Sequence, residues 1–201
     1  TTTPSLSLLQ VAFVPDYNVS LAEVIIPGSE LNQQISTAGT EASGTGNMKF
    51  AMNGSLIIGT MDGANVEIAQ EIGEANMFIF GARAHDVNRL RAERASFKPD
   101  PRFESVIAMI RRGDFGWADF FEPLCAAVSG PGDYYLVAND FPAYIEAQAA
   151  VDAAYRDEDK WTAMSIASVA GSGFFSSDRT IGEYARDIWG VEACRIPDDS
   201  A

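Results

Sequence analysis

The stretch Ser55–Gly81, SLIIGTMDGANVEIAQEIGEANMFIFG, constrains the fold more than any other. Ser55–Thr60 is a short apolar run that reads as a buried strand. Asp62-Gly63 is a turn pair, and Val66, Ile68 and Ile72 mark a helix behind it. Met77–Gly81, MFIFG, reads as a second buried strand. Two apolar strands joined by a helix make a βαβ unit. That unit implies a parallel sheet, because a parallel return needs a crossover rather than a hairpin.

Upstream, VAFVP (Val11–Pro15) reads as a further buried strand ended by proline. DYNVSLAEVII carries Leu21, Val24 and Ile25 at helical spacing and stops at Pro27-Gly28. SELNQQI, Ser29–Ile35, reads as a short helix with Ser29 as its cap. NMKFAMNG then reads as a short helix stopped by Asn53-Gly54. The chain is helix-rich toward its C-terminus. Tyr144, Gln148, Val151 and Tyr155 share one helical face, and Trp161 opens a further helix. Ile181, Tyr184, Ala185, Ile188 and Trp189 form an apolar stripe, with Thr180 and Glu183 spaced as a capping box. No repeat, low-complexity tract or linker divides the chain. It reads as one incomplete α/β domain, 11–197, behind an atypical lead-in or truncation edge, 1–10, and before a tail, 198–201.

Composition removes several function classes. The 14 basic against 28 acidic residues give a net charge of −14, which repels nucleic acid and anionic membrane surfaces. The only histidine is His85, and Cys125 and Cys194 are far apart, so neither a Cys/His metal set nor a histidine-based triad is expected. The low cysteine count fits a reducing, cytoplasmic setting. No apolar stretch reaches the ~18–20 residues a membrane-spanning helix needs, and TTTPSLSLLQ lacks the pattern of a signal peptide.

The candidate site is the loop Ser36–Gly46, STAGTEASGTG, which holds no large apolar side chain and is long for an unstructured connection. Gly39, Gly44 and Gly46 admit positive φ and close approach of a ligand. If Asn47 starts a helix, the N–H groups of its first turn suit a phosphate. Neither common phosphate motif is present, so a tight turn is the simpler reading of the glycines. Lys49 has three readings: a snorkelling surface lysine, a cation for a ligand phosphate, or an amine activated among Met48, Phe50 and Met52. Glu41 is a solvated carboxylate or an acceptor for sugar hydroxyls, with the N–H groups of Ala42, Ser43 and Gly44 beside it. Asp62–Asn65, DGAN, is most simply a turn in which Asp62 or Asn65 caps the next helix. Ser176–Ile181, SSDRTI, is most simply a cap, with Asp178 and Arg179 solvated or locally paired.

EASGTGNMKFAMNGSLIIGTMDGANVEI resembles the pyridoxal-phosphate segment of the α-glucan phosphorylases. PDYNVSLAEVIIPGSELNQQISTAGT resembles the stretch before it in that family, and FSSDRTIGEYARDIWGVE its C-terminal helix. The resemblance runs from about Val11 to about Pro197. It implies that 11–197 is the second half of the C-terminal, cofactor-bearing lobe, a Rossmann-like lobe of the two-lobed GT-B glycosyltransferase fold. It also implies phosphorolysis: inorganic phosphate attacks the terminal unit of an α-1,4-glucan and releases glucose 1-phosphate with retention. Lys49 would be the Schiff-base lysine of pyridoxal phosphate, an anchor rather than an electron sink. Tyr17, Asn18 and Val19, with Gly44, Thr45 and Gly46, would surround the cofactor. Thr45 would also help hold the substrate phosphate. Glu41, Ala42, Ser43 and Gly44 would bind the glucosyl unit, so Lys49, Thr45 and Glu41 carry the reaction.

The resemblance further implies partners: an N-terminal lobe and a homodimeric full-length form. The family's cationic phosphate motif lies upstream of this stretch, so the chain alone is expected to be inactive. Asn18 stands where many animal members carry arginine, which puts phosphate-regulated control in question. Two other readings remain: a non-catalytic glucan-binding or assembly fragment, and a nucleotide-sugar glucosyltransferase without the cofactor. The second conflicts with Lys49 in its GTGNMK context.

Overall fold

The computed structural model describes residues 9–192 and 194. Three parallel strands, β1 (Leu31–Gln34), β2 (Leu56–Gly59) and β3 (Phe78–Ile79), form a sheet in the order β1-β2-β3. Leu31 pairs with Leu56 and Gln34 with Gly59, while Ile58 pairs with Phe78. The crossovers are helical: α1 (Val19–Ile25) precedes β1, α2 (Gly46–Met52) lies between β1 and β2, and α3 (Asn65–Ile72) between β2 and β3. The parallel α/β architecture expected from the Ser55–Gly81 stretch is what forms.

β2 is buried at all four positions and divides the core by strand alternation. Leu56 and Ile58 point to one face with Phe78 and Phe80. There they meet Ala147, Val151 and Ala154 of α7 (Val137–Tyr155) and Trp161 and Met164 of α8 (Glu158–Gly171). Ile57 points to the other face and packs with Ala51 of α2 and Ile68, Ala69 and Ile72 of α3. Trp161 stacks on Phe78 with centroids 6.1 Å apart, and its Nε1–H donates to Glu30 Oε2 at 2.9 Å.

The remaining helices are α4 (Ala84–Glu93), α5 (Pro101–Arg112), α6 (Ala118–Ala127), which packs on α5, and α9 (Ser177–Glu183), which runs on as a π-helical turn Tyr184–Trp189. α5 begins at Asp100, whose carboxylate accepts from Arg102 N–H, with Pro101 in the first turn, and ends on left-handed Gly113. Its Phe103 and Ile107 cover fully buried Cys125 of α6. Among the described residues no helix is long and apolar enough to cross a membrane.

Several expectations are corrected. Val11–Pro15 forms no strand; Val11 is 83% and Phe13 90% exposed, because no strand among the described residues pairs with this β-branched run. Ser29–Ile35 is not a helix but contains β1, and Ser29 Oγ donates back to the Ile25 carbonyl. Thr180 lies inside α9 and donates to the Ser176 carbonyl, while Glu183 pairs with Arg179, so no capping box forms. Arg179 also lies over the Phe174 ring and does not pair with Asp178. The Ile181–Trp189 stripe is helical as expected, but Ile181, Tyr184, Ile188 and Trp189 all stay exposed. Residues 1–8, most of the expected lead-in, and the tail 198–201 lie outside the described residues.

Candidate functional site

All three strands end on the same side of the sheet, and the segments that follow them meet there. In parallel sheets this edge is where ligands bind. The loop from Ser36 to Thr45 leaves β1, the turn Thr60–Ala64 leaves β2, and Phe80–Arg83 leaves β3.

Asp62 organises the first two. Its side chain is buried, and it accepts from Ser36 Oγ at 2.7 Å, Gly39 N–H at 2.7 Å and Glu41 N–H at 3.0 Å. Burial alone would raise the pKa of this carboxyl. The hydrogen bonds from Ser36, Gly39, Glu41 and Gly63 outweigh that and hold it below the ordinary value. The turn also touches the loop through its backbone, since Ala64 N–H donates to the Ser43 carbonyl at 2.6 Å. Gly63, at φ +52°, makes this approach possible: a Cβ there would collide with the Ser43 carbonyl and sit 2.9 Å from Glu41 Cγ. The expected side-chain cap of α3 by Asp62 or Asn65 therefore does not form; the residue before α3 is Ala64, whose side chain carries no acceptor.

A second network lies beneath. Asn65 Nδ2 donates to the Thr60 carbonyl at 2.9 Å, and its Oδ1 accepts from Asn47 Nδ2 at 2.9 Å. Asn47 Oδ1 in turn accepts from Met48 N–H at 2.9 Å. The N–H groups expected to be free in the first turn of α2 are thus partly satisfied by the chain itself. Thr37 Oγ1 donates to the Tyr135 carbonyl at 2.7 Å, and Ala38 packs with Val87 and Leu136, fixing the root of the loop.

Glu41, Ser43, Gly44 and Asn47 surround a cavity of about 130 Å³ together with Gln34, Ser36, Asp62 and Asn65. A larger cavity of about 470 Å³ adjoins it through Gln33, Ile35 and Ser36 and is lined by Phe80, Tyr135, Phe141 and Tyr144. Glu41, Ala42, Ser43 and Thr45 are exposed, while Gly44 and Gly46 are half-buried. Thr45 is the residue before α2, and its hydroxyl makes no hydrogen bond among the described residues. Lys49 N–H donates to the Thr45 carbonyl at 3.1 Å, so both side chains leave one side of the helix, a turn apart.

Lys49 is exposed rather than desolvated among its apolar neighbours, and it makes no ion pair among the described residues. It is the only lysine or arginine before Arg83. Tyr17, Asn18 and Val19 lie at the start of α1, where Asn18 Oδ1 accepts from Leu21 N–H at 3.2 Å. No hydrogen bond or shared core cluster among the described residues joins them to Gly44–Lys49. The loop leads directly into α2. Asp62, Asn47 and Asn65 are the members of this site that sequence reasoning missed. An Asp-Gly pair just after a strand was visible, but it signals a turn as readily as an anchor.

A family model described as carbohydrate phosphorylase matches residues 4–191. The chain belongs to the carbohydrate phosphorylase family. It is 62% identical over 198 residues to the α-glucan phosphorylase H isozyme of Vicia faba, covering 95% of this chain and 23% of that one. It is 62% identical over 196 residues to the α-1,4 glucan phosphorylase L-2 isozyme, chloroplastic/amyloplastic, of Solanum tuberosum, covering 94% and 20%. It is 60% identical over 196 residues to α-glucan phosphorylase 2, cytosolic, of Arabidopsis thaliana, covering 94% and 23%. The chain spans about a fifth to a quarter of the length of these relatives.

Proposed function

We propose that this chain is the cofactor-anchoring part of an α-glucan phosphorylase, in the second half of a Rossmann-like GT-B lobe. The reaction is attack of inorganic phosphate on C1 of the terminal α-1,4-linked glucose. The bond from C1 to the glycosidic oxygen breaks, a proton goes to that oxygen, and glucose 1-phosphate leaves with retention. The observation that carries the reading is the loop itself. Within a family match over residues 4–191, an ion-pair-free amine at Lys49 stands one turn from the uncommitted hydroxyl of Thr45.

The donor set fits pyridoxal phosphate: a primary amine for its carbonyl, a free hydroxyl, and glycines at 44 and 46 that let the backbone come close. When bound, this group supplies a phosphate that exchanges a proton with the substrate phosphate. Lys49 holds it, and the backbones of Gly44, Thr45 and Gly46 line its place, joined by Tyr17–Val19. The Thr45 hydroxyl donates to the substrate phosphate. Glu41 accepts from neighbouring glucosyl hydroxyls, and the N–H groups of Ala42, Ser43 and Gly44 donate to the same ring. With one cation before Arg83, this segment balances little of two phosphates' charge, so further cations and the second lobe come from elsewhere in the enzyme, which we read as a homodimer.

A cytoplasmic setting fits the cytosolic relative. The plastid relative at 62% identity fits a plastid setting as well, so localisation of a fluorescent fusion decides between them.

Covalent labelling tests the cofactor site. The purified chain is incubated with pyridoxal phosphate, reduced with borohydride and mapped by peptide mass. Lys49 is expected to carry the pyridoxyl group in clear excess over Lys98 and Lys160, which serve as internal controls. Equal labelling of all three lysines would overturn the assignment.

A further inference from the structure

We propose that Asp62 is a positioning residue for the glucosyl-binding loop, an anionic clamp that sets where Glu41 and Ser43 stand. The proposal rests on the reading of that loop as the glucan site.

Asp62 is buried without a cation: none of the ion pairs among the described residues includes it. A carboxylate persists in such a place only where donors converge on it. Here they divide between its two oxygens. Oδ1 takes Gly39 N–H, and Oδ2 takes Ser36 Oγ and Glu41 N–H. The bonds therefore grip the loop at its entry, at its left-handed glycine and at the backbone of Glu41, the proposed sugar acceptor. Two residues on, the Ala64 N–H to Ser43 carbonyl bond and the missing Cβ of Gly63 press the turn against Glu41–Ser43. The mould is a turn on β2 and the moulded part is a loop on β1, so the sheet's rigidity passes to exposed residues.

Charge is essential to this geometry. An asparagine has one acceptor oxygen and one donor nitrogen, so Asp62→Asn aims an N–H at either Gly39 N–H or Glu41 N–H. The shape is kept and the grip on one side is lost. A residue that merely filled space would tolerate this change.

The experiment compares wild type, Asp62→Asn and Ser36→Ala by amide hydrogen exchange, maltooligosaccharide titration and pyridoxyl labelling. In Asp62→Asn, exchange at Gly39 and Glu41 is expected to accelerate while β2 and α3 keep their protection. Maltooligosaccharide affinity is expected to fall on the order of tenfold, with labelling of Lys49 unchanged. Ser36→Ala leaves both backbone donors on the carboxylate and should change affinity by less than about threefold. Unchanged exchange and affinity in Asp62→Asn would overturn the proposal. So would protection lost throughout the sheet, since Asp62 would then support the fold at large. Failure of wild type to bind maltooligosaccharide would instead sink the reading of Glu41, and exchange at Gly39 and Glu41 would still decide whether the clamp exists.

Discussion

The strand-end network and the outer segments around α6 and after α9 treat their side chains in opposite ways. Around Asp62, Asn47 and Asn65, polar groups are buried and nearly every donor finds a named acceptor. In the loop and helix from Phe115 to Leu124, and along Ile181–Trp189, apolar groups are exposed; Trp117 is 84% exposed. The first region has few apolar side chains and is the more tightly determined of the two. Convergent hydrogen bonds are directional and fix where a group stands, whereas an apolar stripe fixes only which way a helix faces, and only when something covers it.

Three substitutions sharpen this contrast, from the largest expected effect to the smallest. Trp161→Ala removes a buried ring from the sheet's α7–α8 face and leaves Glu30 without its donor, so denaturant unfolding should show a loss of about 3–5 kcal/mol. Gly63→Ala puts a methyl into the Ser43 carbonyl at a left-handed φ and should cost about 1–3 kcal/mol, with exchange rising first at residues 41–43. Trp117→Ser should change stability by about 0.5 kcal/mol or less. A loss near that of Trp161→Ala would mean that the exposed aromatics support the fold after all, and the contrast would fail.

Acid offers a fourth test. The pKa of Asp62 is depressed in the folded chain, so its stabilisation is complete above the unfolded value and lost as pH falls through the lower folded value. Asp133 and Asp140 are raised by burial and act with the opposite sign: protonation relieves them, and their contribution improves as pH falls. Loop protection at Gly39 and Glu41 should therefore fade in acid in wild type and show no such step in Asp62→Asn.

What the sequence disclosed follows the same division. β2, β3, α2 and α3 were legible because Leu56–Ile58, Phe78 and Ile68 are apolar and buried, so pattern and position agree. β1 was hidden. Its buried Asn32 is satisfied by Ser55 Oγ and the Leu56 carbonyl, so the inward position carries a polar residue and period-two alternation disappears. VAFVP failed in the opposite way: its residues suit a strand, but a strand exists only with a partner to pair. The loop's composition announced a site, and its glycines announced turns. That the anchor would come from Asp62, 21 residues beyond Glu41, could not be read from local spacing.

The burial of Cys125 beneath Phe103 and Ile107, set against exposed Cys194, gives the molecule a built-in clock. A thiol reagent should modify Cys194 at once and reach Cys125 only when the cluster of α5, α6 and α7 around it opens. The delay between the two events times the opening of that cluster, in a chain that needs no added label to report it.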